Sequence, residues 1–216
     1  MNATTYAKWV LAGEHSVLRG APAIVLPRPS LELTFGVTRT PQKTGSGPLH
    51  ELLSEACEYL VPGSGPEAFQ TEIDVSSSIP EGGGLGSSAA LCVAAVRVAA
   101  QFLDLIPSKE RQFEIARDLE NRFHGKSSGM DVAAAIWNEP IRFERAQAPQ
   151  PLIRHARWAS EKTFTFHDTG FRSKTIAAIQ KAQALNTPAI DERMRQAVNA
   201  AERGITQGDE QAIAES

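Results

Sequence analysis

Cysteine is scarce in this chain. The two present, Cys57 and Cys92, stand far apart and form neither a CxxC pair nor a His/Cys cluster. That spacing suggests neither a zinc module nor a disulfide framework. Reduced thiols in a cytoplasmic protein are the expectation. An excess of either charge is also missing: 22 Lys and Arg stand against 25 Asp and Glu, for a net charge of -3. There is no basic footprint for nucleic acid or for an anionic membrane. No apolar run is long enough to span a bilayer; Ser87–Leu103 is broken by Arg97 and falls short of the ~20 residues required. Met1–Tyr6 has neither the basic start nor the apolar core of a signal peptide. Internal repeats and heptads are absent. What remains is an ordinary globular composition, 42% hydrophobic and 22% charged, with length for one large domain or two small ones.

Glycine, by contrast, is concentrated. Pro80-Glu81-Gly82-Gly83-Gly84-Leu85-Gly86-Ser87-Ser88-Ala89-Ala90 is followed by a small-residue apolar run from Leu91 to Leu103. Such a loop can take positive φ. Where it opens a helix, unpaired N–H groups and aligned peptide dipoles favour an anion. Two readings stand side by side: a phosphate cradle, and a plain turn between a strand and a buried helix.

Strands are expected at Ala7–Ala12, at Pro22–Pro27, across the alternating Leu31, Leu33, Phe35 and Val37, and at Thr71–Ile79. A helix is expected over Leu49–Leu60. Ser108 with Glu110 reads as the capped start of another, whose apolar stripe is Phe113, Ala116, Leu119 and Phe123. Glu120 falls on or beside that buried stripe, where a carboxylate must be paired, protonated or bound to a cation. A polar loop, His124–Asp131, leads into a short helix, Val132–Trp137, and Ile141–Glu144 reads as a strand. Ala146–Pro151 looks like a linker dividing residues 1–150 from residues 151–216. Beyond it come a strand near Phe164–Phe166, a helix from about Ser173, and a helix opened by Thr187-Pro188 that stops before Gly204.

Spacing separates the nucleotide-binding signatures. The Walker pattern fails, because its first glycine would fall at Glu120. Gly84, Gly86 and Ala89 match GxGxx[G/A], with Asp104 about 20 residues on. However, the loop is longer than that fingerprint's tight turn, and Asp104 sits near a helix end rather than at a strand tip.

A third pattern covers more of the chain. Ile79–Ala90 (IPEGGGLGSSAA) resembles the phosphate-binding motif of the GHMP kinases. Lys8–Pro27 (KWVLAGEHSVLRGAPAIVLP), His124–Asp131 (HGKSSGMD) and Asp168–Thr175 (DTGFRSKT) are similar to further segments of that family in its mevalonate kinase branch. Four matches in the right order carry the resemblance from residue 8 to residue 175.

The resemblance implies an α+β architecture: a ribosomal-protein-S5-domain-2-like N-terminal domain, then part of a ferredoxin-like C-terminal domain. It implies ATP- and Mg²⁺-dependent phosphorylation of a small-molecule alcohol, with mevalonate as leading acceptor; the alternatives are another GHMP kinase acting on phosphomevalonate or a sugar, and a degenerate homologue that binds nucleotide without turnover. Residues Gly82, Gly83, Gly84, Leu85, Gly86, Ser87 and Ser88 would hold the ATP phosphates, and Ser88 and Glu120 the Mg²⁺. Asp131 would act as general base, Lys8 would supply positive charge, and Glu14 and His15 would line the acceptor pocket. Ser173 or Thr175 would contribute from the second half. The plainer alternatives are a salt-bridged Glu120, a helix-capping Asp131, a solvated Lys8 and a structural His15, with Arg19 at the surface. Two positions depart from the family's habit, Val132 and Leu91, and both bear on the acceptor. A second glycine-rich segment toward the C-terminus is not in the sequence, so a fragment of a longer kinase is expected. The expected partner is a small alcohol, with no nucleic acid and no membrane; homodimerisation is left open.

Overall fold

Alternation begins earlier than the apolar residues alone suggest. In the computed structural model, which describes residues 1–14, 16–40, 45–65, 68, 70–125, 127–144, 152–155, 165, 188–214 and 216, strand β1 is Asn2–Ala12, not only its apolar second half. Ala3, Thr5 and Ala7 alternate inward. Thr5 is tolerated there because its hydroxyl donates to the Ala90 carbonyl at 3.0 Å.

Strand β2, Ala23–Arg39, joins what the sequence reads as two strands. Pro27 and Pro29 keep the backbone extended but supply no N–H. They fall between residues 23–25, which pair with β4 (Ile141–Glu144), and residues 33–39, which pair with β3 (Thr71–Ser77). Strand β5 (Leu152–His155) pairs antiparallel with β4, Ile141 opposite His155. These two strands flank the segment expected to be a linker. The sheet order is β1-β2-β4-β5, with β3 also on β2. The β2–β3, β2–β4 and β4–β5 pairings are antiparallel, so with the helices the architecture is α+β, as expected.

The α-helices among the described residues are α1 (Pro48–Leu60), α2 (Ser87–Phe102), α3 (Lys109–His124), α4 (Met130–Trp137), α5 (Pro188–Gln207) and α6 (Glu210–Ala214), and Ser16–Arg19 form a 3-10 turn. No described helix is long and apolar enough to cross a membrane.

The chain forms two compact units. The first comprises Met1–Ala7, Arg28–Pro80 and Gly86–Trp137. Its hub is α2, which packs against α1, α3 and α4. Buried residues run from Ala89 to Phe102 around nearly every face of α2, most of them alanine or valine. Small side chains let three helices approach one helix closely, and burial all round marks a core helix. Arg97, the one charge in that run, donates to the Thr4 carbonyl at 3.3 Å, the Ile136 carbonyl at 3.1 Å and Gln112 Oε1 at 3.2 Å. Asp104, left-handed at φ 55, directly follows the Leu103 C-cap of α2 and does not end a strand, unlike the ribose-binding acid of a dinucleotide fold.

The second unit comprises Lys8–Pro27, Glu81–Leu85 and Asn138–Ser216. Here α5 seats Val198, Ala201 and Ile205 on Leu11, Ala12 and Ile24. Buried Arg142 binds Glu144 and Glu202 at 2.7 Å each, and Asn199 at 2.9 Å. Two expectations need correction. Arg19 is not simply a surface residue: its guanidinium pairs with both carboxylate oxygens of Asp191, at 2.5 to 3.0 Å. Helix α5 also does not stop before Gly204. A Cβ at Gly204 would lie 2.4 Å from Ile213 Cγ1 and 2.8 Å from the Asp209 carbonyl oxygen. Glycine is there to admit α6, not to end α5. The expected strand near Phe164–Phe166, the helix from about Ser173 and the Thr187 cap fall on residues outside those described, apart from Thr165.

Candidate active site

In the first unit the site begins at the N-terminus of α2. Its N-cap is Gly86, left-handed at φ 76 and ψ 30, and no side chain caps the helix. The first helical bond runs from the Ala90 N–H to the Gly86 carbonyl at 2.9 Å. The amides of Ser87, Ser88 and Ala89 precede that bond, at the positive end of the peptide dipoles. A carboxylate or hydroxyl normally sits there; this terminus has only glycine before it.

Helix α3 runs antiparallel to α2. Arg97 of α2 reaches Gln112 near the start of α3, while Cys92, earlier on α2, feels the charge of Glu120 near the end of α3. Burial pushes the Cys92 thiol far up, and the carboxylates of Glu120 and Glu55 push it further. Ser88 lies one turn before Cys92 on the same stripe of α2. Ser88 and Glu120 are thereby brought to the same end of the helix pair. Glu120 is buried, at 3% exposure, and Ser127 donates its hydroxyl to Glu120 Oε2.

That serine belongs to the loop leading to α4. Its N–H donates to Asn121 Oδ1 at 2.7 Å, and its Oγ accepts the Gly129 N–H at 2.9 Å. Ser128 Oγ then accepts the Met130 N–H at 3.2 Å, and Asp131 is the second residue of α4. The roles of Ser127 and Asn121 escape the sequence reading. The visible signal for them was an asparagine beside the buried Glu120, followed by paired serines in a polar loop.

The fit of a cation can be judged from these donors. Among the described residues, no three His, Cys, Asp or Glu converge as a metal cage. One buried carboxylate and one hydroxyl on adjoining helices suit Mg²⁺, a hard ion that keeps several waters and takes phosphate oxygens. They do not suit structural zinc, which wants four N or S ligands.

In the second unit, Lys8 is buried in β1, at 3% exposure, which removes the reading of a solvated edge lysine. Its N–H donates to the Leu85 carbonyl at 3.1 Å, tying the glycine loop to β1. Gly82 and Gly84 have φ of 67 and 72. The Gly84 Cβ direction meets nothing within 4 Å, so the loop presents bare backbone there. Glu14 is exposed, and its carbonyl accepts the Ser16 N–H at 2.8 Å. His15, Ser173 and Thr175 lie outside the described residues.

The family model for the GHMP kinases N terminal domain matches residues 51–139. The chain is 28% identical over 173 residues to mevalonate kinase of Pyrococcus furiosus, covering 67% of this chain and 52% of that protein. It is 32% identical over 157 residues to mevalonate kinase of Pyrococcus abyssi, covering 60% and 47%. It therefore spans about half the length of these curated relatives. Among solved structures, phosphomevalonate kinase of Streptococcus pneumoniae, in complex with phosphomevalonate and AMPPNP, superposes with a TM-score of 0.79 at 13% identity. That match covers 100% of this chain and 77% of that one. Mevalonate kinase of L. major, in complex with R-mevalonate, gives 0.70 at 18% identity, over 99% and 71%. This chain thus has the fold of the GHMP kinases, and its residues 51–139 match the model of that family's N-terminal domain.

Proposed function

We propose that this chain carries the ATP-binding part of a cytoplasmic kinase that phosphorylates the hydroxyl of a small molecule, with mevalonate as acceptor, in isoprenoid precursor synthesis. The observation that carries the reading is the N-terminus of α2, whose cap Gly86 makes no side-chain hydrogen bond and, like Gly82 and Gly84 before it, has positive φ. Such a terminus favours a polyphosphate through its N–H groups and dipole. The kinases among the relatives and structural neighbours supply the reaction class.

In this reading the backbone amides of residues 82–88 bind the β- and γ-phosphates. Ser88 and Glu120 would hold Mg²⁺, which when bound neutralises phosphate charge. Asp131 accepts the proton of the acceptor hydroxyl as its oxygen bonds to the γ-phosphorus and the bond to ADP breaks. Lys8 offers positive charge to the developing alkoxide. Glu14 and His15 contact the acceptor. Residues 1–150 would form the ATP-binding half and residues 151–216 the start of the second.

An ADP-release assay over mevalonate, phosphomevalonate, homoserine and galactose tests the acceptor. ADP release strongest with mevalonate supports the reading, and a preference for another alcohol replaces the substrate. No acceptor-dependent release in a folded, ADP-binding protein would reduce the chain to a nucleotide-binding one. With an acceptor in hand, Asp131→Asn should cut turnover at least ~10²-fold, the scale of losing a general base, while ADP binding holds. Near-normal turnover would sink the base assignment.

A further inference from the structure

Ser127 uses its hydroxyl in both directions. The O–H donates to Glu120 Oε2, and the oxygen accepts the Gly129 N–H at 2.9 Å. A serine has one hydroxyl donor, and here it is spent on a buried carboxylate. The residue is itself held from α3, because its N–H donates to Asn121 Oδ1 at 2.7 Å. Adjacent residues of one helix turn, Glu120 and Asn121, thus grip one loop residue at two points. Downstream, the accepted Gly129 N–H lies two residues before Asp131. Ser128 secures the step between by accepting the Met130 N–H at 3.2 Å. A continuous path runs from the Glu120 carboxylate, through the Ser127 oxygen, to the backbone that opens α4. Nothing in the phosphoryl-transfer scheme above requires Ser127, yet it links the carboxylate assigned to the cation with the helix that bears the base.

We propose that Ser127 is the positioning residue of this site. Its hydroxyl orients the Glu120 carboxylate toward an oxygen-liganded divalent cation and sets the first turn of α4 in register with it. The inference rests on the reading of Glu120 as a cation ligand. A hydroxyl that orients a ligating carboxylate acts without touching the ion, and losing such a partner typically weakens metal binding ~10–100-fold.

The test is binding of Mn²⁺, a paramagnetic stand-in for Mg²⁺, to the full chain with ADP, followed by the Mn²⁺ electron spin resonance signal. Affinity for ADP alone is measured in parallel in EDTA. Ser127→Ala should weaken Mn²⁺ binding ~10–100-fold, leave ADP binding in EDTA at the wild-type level, and be rescued by Ser127→Thr, which keeps a hydroxyl. If Ser127→Ala fails to fold by circular dichroism, Ser127→Cys serves instead. It keeps the size but donates weakly, so a similar Mn²⁺ loss is expected. Glu120→Gln separates the two levels of the reading. Mn²⁺ affinity lost in Glu120→Gln but unchanged in Ser127→Ala or its Cys substitute overturns Ser127 alone. Equal loss of Mn²⁺ and ADP affinity makes Ser127 a folding residue and overturns the proposal. Wild-type affinity in Glu120→Gln, or no Mn²⁺ binding by the wild type with ADP, overturns both.

Discussion

Two neighbouring helices of equal length, α2 and α3, begin in opposite ways. Helix α3 starts at a serine: Ser108 Oγ accepts the Arg111 N–H at 3.2 Å, and Glu110 lies in the first turn. Its positive end is satisfied by its own side chains. Helix α2 starts at Gly86, with no side-chain cap and no acid in the first turn. Each is 16 residues long and packs on the other, so length and partner do not explain the contrast. A helix capped by glycine gives up only a few tenths of a kcal/mol (roughly 0.3) relative to serine. What α2 keeps is an N-terminus whose cap, Gly86, brings no side-chain acceptor of its own. The capped terminus serves stability; the uncapped one is suited to a ligand that carries its own negative charge.

The comparison can be broken most severely by giving α2 the acid it lacks. Gly86→Asp suits the left-handed N-cap, which aspartate tolerates better than most residues. It puts a carboxylate where the phosphates are proposed to bind. ADP affinity measured by calorimetry should fall on the order of 100-fold, ~2.7 kcal/mol, with the helical circular dichroism spectrum retained. Wild-type ADP affinity in that variant would remove the α2 terminus from the phosphate site.

The reverse change is milder. Ser108→Ala should cost about 1 kcal/mol and lower Tm by ~2–4 °C, leaving ADP affinity untouched. A tenfold change in ADP affinity would show that the two termini do not divide their tasks this way.

The smallest effect belongs to Glu110. Its own backbone N–H, then the Ser108 hydroxyl, and last the nearby Lys109 charge hold its carboxyl below the usual range, against a weak opposing effect of burial. A carboxyl depressed in the folded state stabilises above its unfolded value, and that contribution fades as pH falls through the folded value. Glu110→Gln should therefore slightly flatten the acid-side decline of Tm and leave the neutral-pH nucleotide affinity alone. An unchanged acid-side slope would place the stabilisation of this terminus wholly in Ser108.

The same contrast sets what could be read from residues. The start of α3 was legible because its cap is a side chain, written as Ser108 and Glu110. The start of α2 lies four residues before the apolar run at Leu91 because glycine caps by conformation, which leaves only a permissive residue in the sequence. The two expected strands around Pro27 and Pro29 read as broken because proline removes donors. They form one strand because proline's φ remains compatible with an extended chain. Arg19 looked solvent-facing because its partner, Asp191, is 172 residues away.

By itself the sequence determined the α+β class, the order of most elements and the candidates Gly82–Ser88, Glu120 and Asp131. The element order follows from local periodicity and turn residues, while the α+β class and the site candidates follow from the resemblance of the motifs and their order, none of which needs a partner in space. Tertiary structure decided which groups lost water and which faced one another. Packing buried Lys8 and Glu120 to 3% exposure, set α3 antiparallel to α2, and made Gly204 a contact point for α6. It also placed Ser127 on the Glu120 carboxylate. Burial and pairing depend on the summed contacts of distant segments, so no local pattern could specify them.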